Sequence, residues 1–142
     1  MASELKVDKF TGVTTAGSID VTGEGNSTTT NLQQGLTKAW THLNGTGTIA
    51  IQDSFNTSSA TDRSTGRYEF NITNNMVNRL YSCSGSCSLT NGDGSSAYVT
   101  DSFPDYQVQG PFSTSASTSG VYTGGIFVDY AYVANNVNGD LA

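Results

Sequence analysis

The chain has 142 residues, 35% of them apolar and 13% charged, with a net charge of −6 and a pI near 4.3. Six scattered Lys and Arg cannot build the basic stripe that phosphate binding needs, and no apolar run approaches the ~20 residues of a membrane span. The expectation is therefore no nucleic-acid partner and no membrane insertion.

Ser, Thr, Asn and Gly fill roughly half the chain, a bias towards turns and strands and against helices. Seven Tyr, six Phe and one Trp are more aromatics than a disordered segment carries. A low apolar share with many aromatics points to a small core per chain, completed by neighbours in an obligate oligomer. MASELKVDKF lacks the apolar stretch of a signal peptide, which implies synthesis in a cytoplasm.

In chain order, residues 1–34 read as an arm. Leu5, Val7, Ile19 and Val21 give short alternating runs, interrupted by Gly12, Gly17, Gly23 and Gly25. Strands this short bury too little surface to form a sheet alone. Two readings follow: three copies wound together, or an attachment tail that orders on docking. Leu32–Leu36 is the one plausible helical turn and reads as a hinge.

Residues 35–142 read as a head. Strands are expected at Lys38–Leu43, Thr48–Phe55, Gly66–Thr73, Val77–Ser82, Ala97–Ser102, Gln107–Ser113 and Gly124–Val133. Asn44-Gly45 with Gly47 marks a turn after the first, and Ser64-Thr65-Gly66 another before the third. Tyr68, Phe70 and Ile72 share one face of the third strand. In the last, Ile126, Val128, Tyr130 and Tyr132 oppose Phe127, Asp129, Ala131 and Val133. The expected fold is all-β: an extended, intertwined arm followed by a small antiparallel sandwich or barrel, as a trimer.

The stretch Gly35 to Phe70 carries a specific pattern in Gly35, Leu36, Lys38, Ala39, Trp40, Leu43 to Thr48, Ala50, Ile51, Asp53 to Asn56, Ser58, Ser59, Thr61, Asp62, Thr65, Gly66 and Tyr68. It resembles a motif that recurs in virion proteins of tailed bacteriophages, usually tail fibres or other appendages, over about a quarter of the chain. The segment TTAGSIDVTGEGNSTTTNL, Thr14 to Leu32, is likewise similar to the short-strand segments of trimeric fibre shafts. The resemblance implies a virion protein made in the host cytoplasm and displayed on the particle. Either it is a short fibre anchored by residues 1–34, or a head fibre or decoration protein that binds the capsid shell. Trp40, Ile49, Ile51, Phe55 and Tyr68 of the motif read as scaffold.

No catalytic constellation is expected. The single histidine, His42, has no G-x-S-x-G elbow to serve and reads as structural. Asp53, Asp62, Glu69, Asp93, Asp101, Asp105 and Asp129 are the carboxylates that glycoside hydrolysis would have to pair, and a head this small has no room for the long cleft. Cys83 and Cys87 lack the further ligands of a zinc site. If Ser84-Gly85-Ser86 is a hairpin tip, they reach disulfide distance; otherwise they are small core residues. Asn91-Gly92-Asp93-Gly94 reads as a turn and not as a calcium loop. No metal and no cofactor are expected.

The remaining candidate is a recognition surface for a host-surface glycan or protein. Sugars are bound by aromatic faces with Asn, Asp and Ser on the hydroxyls. Ser95 to Tyr122 supplies Tyr98, Phe103, Asp105, Tyr106 and Phe112 as candidate receptor-facing residues, the alternative being that these rings fill the core.

Overall fold

The computed structural model describes residues 4–13, 19–22, 29–88, 97–99, 114–123 and 126–142, with the backbone alone at 97–99 and 122–123. The chain divides into two compact units, Met1–Leu36 and Thr37–Ala142.

In the first unit, β1 (Asp20–Thr22) pairs antiparallel with β2 (Thr29–Asn31), and a single helical turn α1 (Leu32–Gly35) follows. The Asn31 side chain caps that turn by accepting the Gln34 amide at 3.1 Å. Leu32 N–H donates to Ile19 O, which ties the turn to the start of the hairpin. None of the described residues in this unit is buried. Leu5, Phe10 and Val13 are 73%, 61% and 95% exposed.

The second unit holds β3 (Ala39–Asn44), β4 (Ala50–Phe55), β5 (Thr57–Ser64), β6 (Arg67–Ile72), β7 (Ser82–Ser88), β8 (Ala97–Val99), β9 (Ala116–Gly120), β10 (Tyr122–Thr123), β11 (Ile126–Phe127) and β12 (Tyr132–Asn138). Every pairing is antiparallel. One sheet runs β4-β3-β12-β7-β8, another β5-β6-β9, and β10 pairs with β11. Thus the fold is all-β.

The two larger sheets enclose two apolar clusters because each buries alternate residues. Ala39, Thr41 and Leu43 of β3, Val133, Asn135 and Val137 of β12, and Cys87 of β7 turn inward. Tyr68, Phe70 and Ile72 of β6 meet them, with Val121, Tyr130 and Met76 closing the gaps. The core also has a polar strip. Asn135 Nδ2 donates to Ser117 Oγ at 3.0 Å, and Ser119 Oγ donates to Asn135 Oδ1 at 3.2 Å, so β12 and β9 are joined across the interior. Buried polar groups are tolerated when each finds a partner, as these do.

Asn56 is where the chain leaves one sheet for the other. It adopts φ 55°, a conformation Asn tolerates better than most residues. Its amide donates to Lys38 O at 2.9 Å, and its Oδ1 accepts the Asn74 N–H at 2.8 Å. Motif residue Asn56 therefore holds the corner between β4 and β5.

Several expected elements differ. Val77–Ser82 is not a strand: Asn78 Oδ1 accepts the Leu80 N–H at 2.7 Å, which bends the chain, and Leu80 is 92% exposed. The strand begins at Ser82 instead. Gly124–Val133 is not one strand either. Residues 128–131 leave the pairing because Asp129 and Tyr130 bond to the turns at Gly66 and Gly45, and β12 starts after them. The buried set is consequently Tyr130, Val133, Asn135 and Val137, while Tyr132 faces outward. Ala97–Ser102 is described only at 97–99, and Gln107–Ser113 lies outside the described residues.

Candidate functional site

The outer face of the five-stranded sheet carries a group of ring side chains that the core does not use, Trp40, His42, Phe55 and Tyr132. On β3 the outward residues are Trp40, His42 and Asn44, between the buried Ala39, Thr41 and Leu43. Trp40 stands opposite Phe55 on β4 and opposite Asn136 on β12, and Asn136 stands opposite Ser84 on β7. Directly paired residues of an antiparallel sheet project on the same side, with Cβ atoms about 5 Å apart. One row across four strands is thus ring, ring, amide, hydroxyl. The next row is Asp53, His42, Ala134 and Ser86. Tyr132 joins it diagonally, its ring centroid 4.2 Å from that of His42 and tilted by 50°.

Phe55 is 53% exposed, while Trp40, His42, Tyr132 and Asn136 are part-buried. His42 Nε2 is buried without a hydrogen-bond partner among the described residues, and the imidazole packs as a ring against Tyr132. The Asn136 amide and Ser84 hydroxyl have no hydrogen-bond partner among the described residues. Asp53 is the one charged side chain of the two rows, and it accepts the Ser54 N–H at 2.8 Å.

The scaffold reading of the motif divides accordingly. Ile49, Ile51 and Tyr68 pack in the core, but Trp40 and Phe55 lie on the outer face. Parity along β3 is the signal that separates them. Ala39 and Leu43 fall on one parity, Trp40 on the other.

Cys83 and Cys87 do not flank a hairpin tip. Both lie in β7, where Ser84, Gly85 and Ser86 pair with Asn136, Asn135 and Ala134. Four residues of strand separate them by roughly 13 Å, whereas a disulfide needs Cα atoms within about 7 Å. Neither forms a disulfide. Burial pushes Cys83 up to about 11 and raises Cys87 as well, which keeps both as unreactive thiols at neutral pH.

The carboxylates serve structure. Asp129 Oδ1 accepts the Gly66 N–H at 2.6 Å and the Tyr68 hydroxyl at 2.8 Å. Glu69 pairs with Arg63, whose Nε donates at 2.8 Å. Asp93, Asp101 and Asp105 lie outside the described residues, as do Phe103, Tyr106 and Phe112 and the Asn91–Gly94 segment. Tyr98 is described by backbone alone and pairs in register with Cys87. Among the described residues, no group of three or more His, Cys, Asp and Glu side chains could hold a metal ion.

Comparisons of the chain with protein-family models, with curated proteins and with solved structures give no match.

Proposed function

We infer that this is a structural virion protein of a tailed phage, a short trimeric fibre. Residues 1–34 anchor it to another virion component, and the C-terminal head meets the host surface, where a glycan is the favoured ligand. The observation that carries the reading is the N-terminal unit, whose described residues include none that are buried while Leu5, Phe10 and Val13 stand in solvent. A chain orders apolar side chains so exposed by packing them on other copies or on a docking partner. The resemblance of Gly35 to Tyr68 to phage appendage motifs supports the same reading, as does a second unit with its own core.

The strands of the N-terminal unit are three residues long, which is short for a shaft and favours a second reading. In that reading the protein is a capsid-surface head fibre or decoration protein that binds the shell. Electron microscopy of virions labelled with antibody to the head distinguishes the two. Label at the tail supports the fibre, label over the shell supports decoration, and unlabelled particles overturn both. A monomer by light scattering at micromolar concentration overturns the trimer.

A further inference from the structure

We propose that the outer face of the five-stranded sheet, around Trp40, Phe55 and Asn136, binds a neutral saccharide. The proposal deepens the host-surface reading above and rests on it for the source of the ligand.

Three features of the face select that chemistry. The first is relief. Large rings occupy β3 and β4 (Trp40, His42, Phe55), and Tyr132 of β12 packs beside His42 at one end. Next to Trp40 and His42, by contrast, the positions on β12 and β7 are Asn136, Ala134, Ser84 and Ser86. The Trp40 and Phe55 rings therefore border a strip of Asn136, Ala134, Ser84 and Ser86, closed at the His42 end by Tyr132. A pyranose laid along that border presents its C–H face to the rings, where aromatic stacking is favourable. The second is hydrogen bonding. Asn136 and Ser84 lie beside Trp40 in the same row, and neither side chain has a partner among the described residues. An amide and a hydroxyl both donate and accept, as sugar hydroxyls do.

The third is charge. Neither row contains a cation, Asp53 is its one charged group, and the chain carries a net charge of −6. An anionic polysaccharide or a nucleic acid would meet Asp53 and no cation within the two rows. A protein partner would bury Asn136 and Ser84 and would have to match each of them, whereas a sugar meets them with hydroxyls and leaves the rim in water. The aromatic and amide content therefore matches a neutral, hydroxyl-rich ligand best.

Trp40 is the single tryptophan, so its fluorescence reports directly on the face. The experiment titrates the full chain with short neutral oligosaccharides of hexoses and N-acetylhexosamines, chosen by glycan array. The expected result is a saturable change in Trp40 emission, with Phe55→Ala and Asn136→Ala each weakening the apparent affinity about tenfold or more. Phe55 is exposed, so F55A keeps the fold, and a circular dichroism spectrum checks it. Thr61→Ala, on the exposed edge of the other sheet, leaves the affinity unchanged.

No array signal, or binding that F55A and N136A leave intact, overturns the proposal. So does a Trp40 signal that follows protein concentration rather than sugar, since a second copy then covers the face. None of these outcomes touches the virion reading, which the labelling experiment decides separately. Conversely, a head that binds sugar but labels no particle keeps the face and removes the phage as its setting.

Discussion

The Tyr68 hydroxyl donates to the Asp129 carboxylate at 2.8 Å, joining residues 61 positions apart and pinning the segment between β11 and β12 onto β6. The same Oδ1 accepts the Gly66 N–H, and the Tyr68 hydroxyl also lies 3.0 Å from Gly45 O. Tyr68 is fully buried, and burial first, then the carboxylate contact, drives its phenol well above the ordinary tyrosine range. It therefore stays a neutral donor throughout the accessible pH range. Tyr68→Phe leaves Asp129 without one donor and is expected to cost about 1.5–3 kcal/mol, the range for a bond to a charged group. A urea melt measures it. A loss below a few tenths would show that this bond does not hold the segment.

Gly66 and Gly45 meet the same cluster from two turns. Gly66 has φ +65°, and a Cβ there would lie 2.7 Å from Val121 O and from Val128 N. A Cβ on Gly45 would lie 2.4 Å from the Tyr68 hydroxyl oxygen. Backbone strain adds to the clash at Gly66, so Gly66→Ala should cost about 3 kcal/mol or more. Gly47 shares the positive φ but has nothing within 4 Å, so Gly47→Ala carries the strain alone. Comparing the two variants by thermal melting separates strain from collision.

Asn135 should be the most sensitive polar position in the core. Its amide is the partner of both Ser117 and Ser119, all three being buried. Asn135→Ala orphans two hydroxyls and opens a cavity, and about 2–4 kcal/mol is expected. Replacing all three with apolar residues of similar volume should recover most of that, because a paired polar group and a well-packed apolar one are nearly equivalent. Recovery measured in the triple variant tests the pairing rather than the size.

This strip also explains why part of the fold was hard to read. β6 is legible because Tyr68, Phe70 and Ile72 alternate with polar residues. β3 and β4 are legible because turn residues at Asn44 to Gly47 separate two apolar-containing runs, although a register shift in their pairing sends Ile51 inward and Phe55 outward. β9 is not, since its inward residues are Ser117 and Ser119, which the chain buries only because Asn135 satisfies them. β7 spells SCSGSCS, where the inward positions are Cys83, Gly85 and Cys87, and small residues look like a turn. β5 is an edge strand, TSSATDRS, that directs little apolar surface inward beyond Ala60. The outer aromatic face was missed for the opposite reason. Within the motif Trp40 and Phe55 read as scaffold alongside Ile51 and Tyr68, and only the register with Asn136 and Ser84 sets them on the outer face.

Alkaline pH should destabilise the head through Cys83 and Tyr81. Burial raises Cys83 from 9.0 to about 11 and Tyr81 from 10.0 to about 12. Both groups are neutral when protonated, and the unfolded chain loses those protons at lower pH than the folded one. Stability is thus fully present below pH 9 and falls as pH rises through about 11 and 12. Cys83→Ala should remove the earlier part of the decline and leave the later part. Urea midpoints measured from pH 8 upward show this directly, and a flat profile would contradict the burial of both groups.

The same placement decides the thiol chemistry. Because Cys83 and Cys87 lie along one strand, no bond within the chain can join them without breaking the pairing of β7 with β12. Native protein held under mild oxidant should therefore keep two alkylatable thiols per chain on later denaturation. Alkylation before denaturation should be slow at pH 7, because both thiols are held protonated by burial. Unfolding should accelerate it sharply, by the fraction of thiolate gained together with access. Mass spectrometry counts the labels in each state. Recovery of a chain with both sulfurs blocked by each other would mean that β7 opens at Gly85, and the five-stranded sheet would then be far less rigid than its register indicates.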